Sequence, residues 1–236
     1  MKQRIWELDA FRGICLLGMI YCHLYYDITT LLRLPSINDG GIFDLISKGG
    51  FLFIMLSGIC ATLGKRPVKR GLIVFGCGMI CTLVTYAMWK FGFATKDLLI
   101  YFGVLHCIGA CMLLWPVFRK LPWWVLIPIG LAIVCLKDYM ATISTESLAF
   151  IPFGVYPYFF ASSDYFPLIP AFGYFLIGGG LGQILYKEKK SLIPEPRFFP
   201  FNMLCFIGRH SLWFYLGHQP ILMGVFYLLS LVVTPA

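Results

Sequence analysis

Charge is the scarcest property of this chain. Only 13% of its 236 residues are Asp, Glu, Lys or Arg, and the acids number 11. A disordered or acidic solvating chain needs the opposite balance, so that class is excluded. Metal and redox spacings are missing as well. The nine cysteines (Cys15, Cys22, Cys60, Cys77, Cys81, Cys107, Cys111, Cys135 and Cys205) all lie in apolar stretches. Cys77/Cys81 and Cys107/Cys111 are helical i, i+4 pairs without the CxxC spacing of a zinc or thiol–disulfide site, so they read as small packing residues and no metal is assigned. The glycines of "FLIGGGLGQ" (Gly178, Gly179, Gly180 and Gly182) follow no strand and precede no Lys-Ser/Thr, so close helix packing is a better account of them than a phosphate loop. No inverted repeat is visible. A cleavable leader is not expected, because "DAFRG" interrupts the start and the apolar run after it has the length of a membrane span.

What fills the chain instead is apolar sequence in long runs. With 59% hydrophobic residues and a mean hydropathy of +0.81, it has the composition of a polytopic membrane protein. Runs near 10–32, 44–64, 71–89, 98–118, 122–136, 165–186 and 211–233 are long enough to cross a bilayer. The expected fold is all-α, a membrane helix bundle of about seven transmembrane helices, forming a single domain over 1–236. Residues 138–164 are broken by Pro152, Gly154 and Pro157 and rich in aromatics, which suits a cover at the outer interface.

Basic residues set the expected orientation, because short cytoplasmic loops retain Lys and Arg. Lys2, Arg4, Arg12, Lys65, Arg66, Lys69, Arg70, Arg119, Lys120, Lys187, Lys189, Lys190 and Arg197 fall on one side, thirteen of the nineteen. Arg33, Lys48, Lys90, Lys96 and Lys137 fall on the other, and Arg209 stands at the start of the last span. The amino terminus is expected in the cytoplasm and the carboxyl terminus outside the cell membrane. The net charge of +8 then reads as a topology signal facing anionic lipid, and no nucleic-acid partner is expected.

Ionisable groups inside the membrane are costly and usually functional. His23 and Asp27 share one helical face in "GMIYCHLYYDI", placing the carboxylate to orient the imidazole. His23 is eleven residues beyond Arg12, about 16 Å along a helix rising ~1.5 Å per residue, near the middle of a core about 30 Å thick. The alternative is a structural pair tying helices together. His106 in "YFGVLHCIGAC" is expected near mid-depth from span four, as a site residue or a packing contact. His218, followed by Gln219 and Pro220, combines polarity with a loosened helix. The stretch "FNMLCFIGRHS", with Arg209 and His210, reads as an interfacial approach, since 202–233 is too long for one span. Ser57 beside Gly58 is a small packing residue or a ligand-binding hydroxyl. Asp164 is a loop carboxylate or helix cap, or it faces the substrate entrance.

"RIWELDAFRGICLLGMIYCHLYYD" resembles the opening of bacterial membrane proteins in the heparan-alpha-glucosaminide N-acetyltransferase catalytic-domain family. "GGFLFIMLSGICATL", "YFGVLHCIGA", "DYFPLIPAFGYFLIGGGLGQ" and "FIGRHSLWFYLGHQPILMGVFYL" resemble its later blocks in the same order. The spacing of Arg12 and His23, with "FLFIMLSG", is also similar to the acyltransferase-3 family. The resemblance implies an integral membrane acyltransferase moving acetyl from cytosolic acetyl-CoA to the amine or hydroxyl of an extracytoplasmic sugar, a modification of cell-envelope glycan. It implies His23 as catalytic base. Asp27 would orient it, and His218 or Arg209 would face the developing oxyanion. Arg12, Arg66, Lys69 and Arg70 would hold the CoA phosphates, with topology alone as the other reading of these cations. A proton-coupled transporter or flippase is the alternative from a different class, since intramembrane His and Asp also build proton relays.

Overall fold

The computed structural model describes residues 4–31, 41–194, 196 and 198–233; Lys2, Arg33 and Arg197, counted above for orientation, lie outside them. The described residues form α1 (Trp6–Leu31), α2 (Ile42–Ser47), α3 (Gly49–Leu63), α4 (Pro67–Lys90), α5 (Val104–Phe118), α6 (Trp123–Ala141), α7 (Leu168–Leu185), α8 (Phe199–Arg209) and α9 (Ser211–Val233). Two 3-10 turns, Lys96–Leu98 and Leu148–Phe153, complete the regular structure. Among the described residues the only β pairing is one isolated bridge between Ser144 and Tyr156. The fold is all-α, as expected.

Ile42–Leu63, Pro67–Lys90, Trp123–Ala141 and Leu168–Leu185 are long and apolar enough to cross a membrane, and α5 is apolar but only 15 residues long. The α1 and α9 helices supply 26 and 23 residues. Exposure of α4 shows what surrounds the protein: Leu72, Ile73, Ile80, Leu83 and Val84 are each at least half exposed. Such a face of branched apolar side chains is stable in lipid, where a helix satisfies its own backbone. The chain is a helical membrane bundle.

The described residues group into two compact units, one drawn from 1–53 and 190–236 and the other from 54–189. In the first, α1 packs against α8 and α9. Small residues let α1 and α8 approach: a Cβ at Gly13 would overlap the Leu204 carbonyl, and one at Gly208 the Asp9 carbonyl. Beside them Trp6 sets its ring edge on Phe201, with centroids 4.8 Å apart, and donates its indole N–H to the Ile193 carbonyl at 3.0 Å. The chain breaks at His210 (φ −105, ψ 26) between α8 and α9, so 202–233 is two helices, as its length demands.

In the second unit α7 is the central element, with Phe175 and Leu176 wholly buried. Its glycines do what their sequence suggested. A Cβ at Gly178 would overlap the Met55 carbonyl of α3, and Gly58 of α3 meets the Phe175 carbonyl in the same way. On another side Gly173 and Gly130 of α6 each back onto the other's carbonyl. Without a hydrophobic drive between helices in lipid, this closeness of backbones is itself the source of attraction. The α5 helix differs from expectation. It begins at Val104, not near Leu98, because Gly103 in extended conformation is its N-cap and the chain before it is a 3-10 turn with an extended link. His106 is therefore in the first turn of α5, not half-way along a span.

The 142–167 segment is pinned, not helical throughout. Ser162 Oγ donates to the Leu99 carbonyl at 2.8 Å, Ser163 Oγ to the Leu98 carbonyl at 3.0 Å, and the Phe166 amide to the Phe102 carbonyl at 3.0 Å. Tyr156, Phe160 and Tyr165 form a ring cluster on it, while Tyr158 and Phe159 stand almost fully exposed.

Gly178→Val should destabilise the protein by about 1–3 kcal/mol, the usual cost of overpacking, seen as a lower midpoint of thermal unfolding in detergent micelles. An unchanged midpoint would contradict the close α3–α7 contact.

Candidate active site

Two polar levels lie along α1 in the first unit. The further one joins α1 to α9. His23 and His218 approach with ring centroids 4.8 Å apart and planes inclined at 55°. One turn on, the buried Asp27 accepts two hydrogen bonds from Gln219 Nε2, at 3.1 and 3.3 Å. A carboxylate only accepts, so the carboxamide nitrogen faces Asp27 and Oε1 points away. That oxygen is buried and has no hydrogen-bond partner among the described residues. The expected bond from Asp27 to the His23 imidazole is not made. The two share a face of α1, but the nearest strong donor to the carboxylate comes across from α9.

His218 is held by its own helix. Its Nδ1 bonds the Tyr215 carbonyl, and a carbonyl can only accept, so the proton sits on Nδ1. In the neutral ring Nε2 is then the basic atom. The helical spacing of Tyr215 and His218 thus fixes a tautomer as well as a position.

The nearer level is centred on Asp9, which sequence reasoning passed over. Its side chain is 5% exposed and carries three guanidinium partners: Arg4 Nε at 2.8 Å, Arg12 Nη1 at 3.4 Å and Arg209 Nε at 3.6 Å. Arg12 comes from the next turn of α1, and Arg209 from the last turn of α8. Arg209 is thereby placed with Arg12. A sequence signal existed in "LDAFRG", where the acid three residues before Arg12 has i, i+3 ion-pair spacing. Arg4 and Arg209 carried no local signal of their part in it.

The remaining candidates belong to the second unit. His106, 2% exposed, uses both ring nitrogens: Nδ1 accepts the Gly103 amide at 3.2 Å, so Nε2 carries the proton, 3.3 Å from Thr82 Oγ1. Thr82 in turn donates to the Ile100 carbonyl at 2.7 Å. Asp164 accepts from the Val104 amide at 3.1 and 3.3 Å. Together the two side chains satisfy the first amides of α5, which a helix start leaves open. Ser57 is buried on α3 beside Gly58. Arg66 is the N-cap of α4, with Lys69 and Arg70 in its first turn. Lys65, Arg66, Lys69 and Arg119 line a groove of about 540 Å³ with Pro67, Val68, Leu72 and Pro116. Cations at a helix N-terminus oppose the helix dipole, so these side chains do not stabilise α4 through it.

Helices that turn apolar side chains outward, while α1 carries imidazole, carboxylate and guanidinium groups into partnership with its neighbours, define an integral membrane protein with an ionisable interior site. The family model of heparan-alpha-glucosaminide N-acetyltransferase, catalytic, matches residues 4–220. The chain belongs to that family, which is one of acetyltransferases. The matched stretch runs from Arg4 to Pro220 and so encloses both polar levels of α1. Comparison with curated proteins and with solved structures gives no match.

The Asp27–Gln219 contact predicts a measurable coupling. In a double-mutant cycle of Asp27→Ala and Gln219→Ala, thermal stability should show an interaction of about 0.5–3 kcal/mol. Strict additivity would remove the contact.

Proposed function

We propose that the protein is an acetyl-CoA-dependent membrane acetyltransferase that acylates the amine or hydroxyl of a sugar presented outside the cell membrane, as a modification of envelope glycan. The observation that carries this reading is the His23–His218 pair, 4.8 Å apart within the stretch that matches the acetyltransferase family.

In the proposed reaction neutral His23 takes the proton from the acceptor nitrogen or oxygen as that atom attacks the thioester carbonyl carbon. The tetrahedral intermediate collapses, the C–S bond breaks, and the imidazolium returns its proton to the CoA thiolate. His218, with its Nδ1 proton fixed on Tyr215, would accept through Nε2 when neutral; only its protonated form would donate to the oxyanion. Asp27 acts as a positioning residue. It fixes Gln219, the neighbour of His218, and the inward Gln219 Oε1 is an acceptor for a hydroxyl or amine of the sugar. Arg12 anchors the CoA phosphates at the cytoplasmic end of α1. Arg66, Lys69 and Arg70 are further candidates for the phosphates or for anionic lipid. His106, Ser57 and Asp164 are assigned to packing and capping of the helices that support the bundle.

This reading requires the amino terminus in the cytoplasm, the carboxyl terminus outside, and His23 near mid-depth, where a donor from one side meets an acceptor from the other. Purified wild-type protein incubated with labelled acetyl-CoA and an amino-sugar or glycan acceptor should transfer label. His23→Ala should reduce turnover by about 10²-fold or more, the usual contribution of a general base. Wild-type turnover in that variant would rule out His23 as the base.

A further inference from the structure

We infer that Arg4, Arg12 and Arg209, gathered on Asp9, form the binding site for a phosphorylated group, and that in the working enzyme this is the phosphate end of the acyl donor. The inference rests on the donor reading above for the identity of the ligand, but the site itself is argued from charge and geometry alone.

One carboxylate balances one guanidinium. Among the described residues a single buried carboxylate faces three, and with the side chains of Arg4 and Arg209 62% and 38% exposed the two further positive charges are open to an anion from outside. Hydrogen bonding gives the same count. Each guanidinium has five N–H donors. Among the described residues, each side chain makes only its contact with Asp9. Arg12 is the most telling of the three, because its side chain is only 26% exposed and its one contact, at 3.4 Å, is long. An ion pair that merely tied α1 to α8 would need Asp9 and Arg209 and no more. Arginine forks match phosphate oxygens in pairs, so the unused donors suit a dianionic or pyrophosphate group.

Position along α1 agrees. The eleven residues from Arg12 to His23 cover about 16 Å on a helix rising ~1.5 Å per residue. An extended pantetheine arm is of comparable length, so phosphates at the arginines bring a thioester to the histidine pair. Arg209 is accordingly assigned to the donor's phosphates and not to the oxyanion.

Equilibrium binding to the full chain in phosphatidylcholine nanodiscs tests this with three probes: CoA, S-acetyl-pantetheine, which has no phosphate, and inorganic pyrophosphate. Arg4→Gln and Arg209→Gln should each weaken CoA about tenfold or more, the scale of a lost charge-assisted hydrogen bond, and leave S-acetyl-pantetheine unchanged. Arg4, the most exposed of the three, keeps the test sound if the Arg209 variant folds poorly, and Arg209→Lys should lose affinity less than Arg209→Gln. CoA bound as tightly by Arg4→Gln and a folded Arg209→Gln as by wild type would overturn the phosphate site while leaving the donor reading intact. Pyrophosphate bound by wild type, lost in the variants and matched by no CoA binding would support the site and overturn the donor. Loss of CoA binding when phosphatidylglycerol replaces phosphatidylcholine would assign the arginines to a lipid headgroup and overturn the inference.

Discussion

A polar group set among apolar helices must find its partner within the protein, because lipid offers none. In the first unit that requirement falls on α1, which carries Asp9, Arg12, His23 and Asp27 along its length. Each is answered from outside the helix or from its own next turn. Arg209 of α8 comes to Asp9, Gln219 of α9 to Asp27, and His218 of α9 to His23. These meetings join the three helices in addition to their apolar contacts. The same contacts that place the helices bring together the groups of the proposed site.

Close backbone approach makes the register possible. Gly13 and Gly208 let α1 and α8 come near enough for Arg209 to reach Asp9, and a side chain at either would strike a carbonyl of the opposite helix. The second unit repeats the device with other residues, at Gly58 and Gly178 between α3 and α7 and at Gly130 and Gly173 between α6 and α7. There the polar side chains close helix ends: His106 and Asp164 take the first amides of α5, and Thr82 takes the imidazole proton. One residue type thus serves two ends in one chain, since His23 meets another imidazole whereas His106 is satisfied by backbone and hydroxyl.

The helical class was legible because span-length apolar runs leave few alternatives, and the last span, expected over 211–233, is α9. The packing role of "FLIGGGLGQ" was legible for the same reason, as glycine runs without a strand have little else to do. Boundaries decided by a cap were not. Hydropathy runs on through "IYFG", while the helix waits for Gly103, whose amide is met by a side chain three residues later. Spacing along one helix put His23 and Asp27 on a common face but could not weigh that neighbourhood against a carboxamide arriving from α9. Asp9 stayed hidden because two of its three partners, Arg4 and Arg209, are outside its helical neighbourhood, one in the chain before α1 and one two hundred residues away. Local periodicity carries no record of such meetings.

The central claim is that one helix, α1, holds both ends of the acyl donor, with phosphates at its first turns and the reacting carbonyl at its middle. An experimental structure of the protein with a non-hydrolysable acetyl-CoA analogue in lipid nanodiscs tests it most directly. The account predicts phosphate density within hydrogen-bonding distance of Arg4, Arg12 and Arg209, and the acyl carbonyl beside His23 and His218. Density for the phosphates at Arg66, Lys69 and Arg70 instead, with the acyl group away from His23, would contradict it.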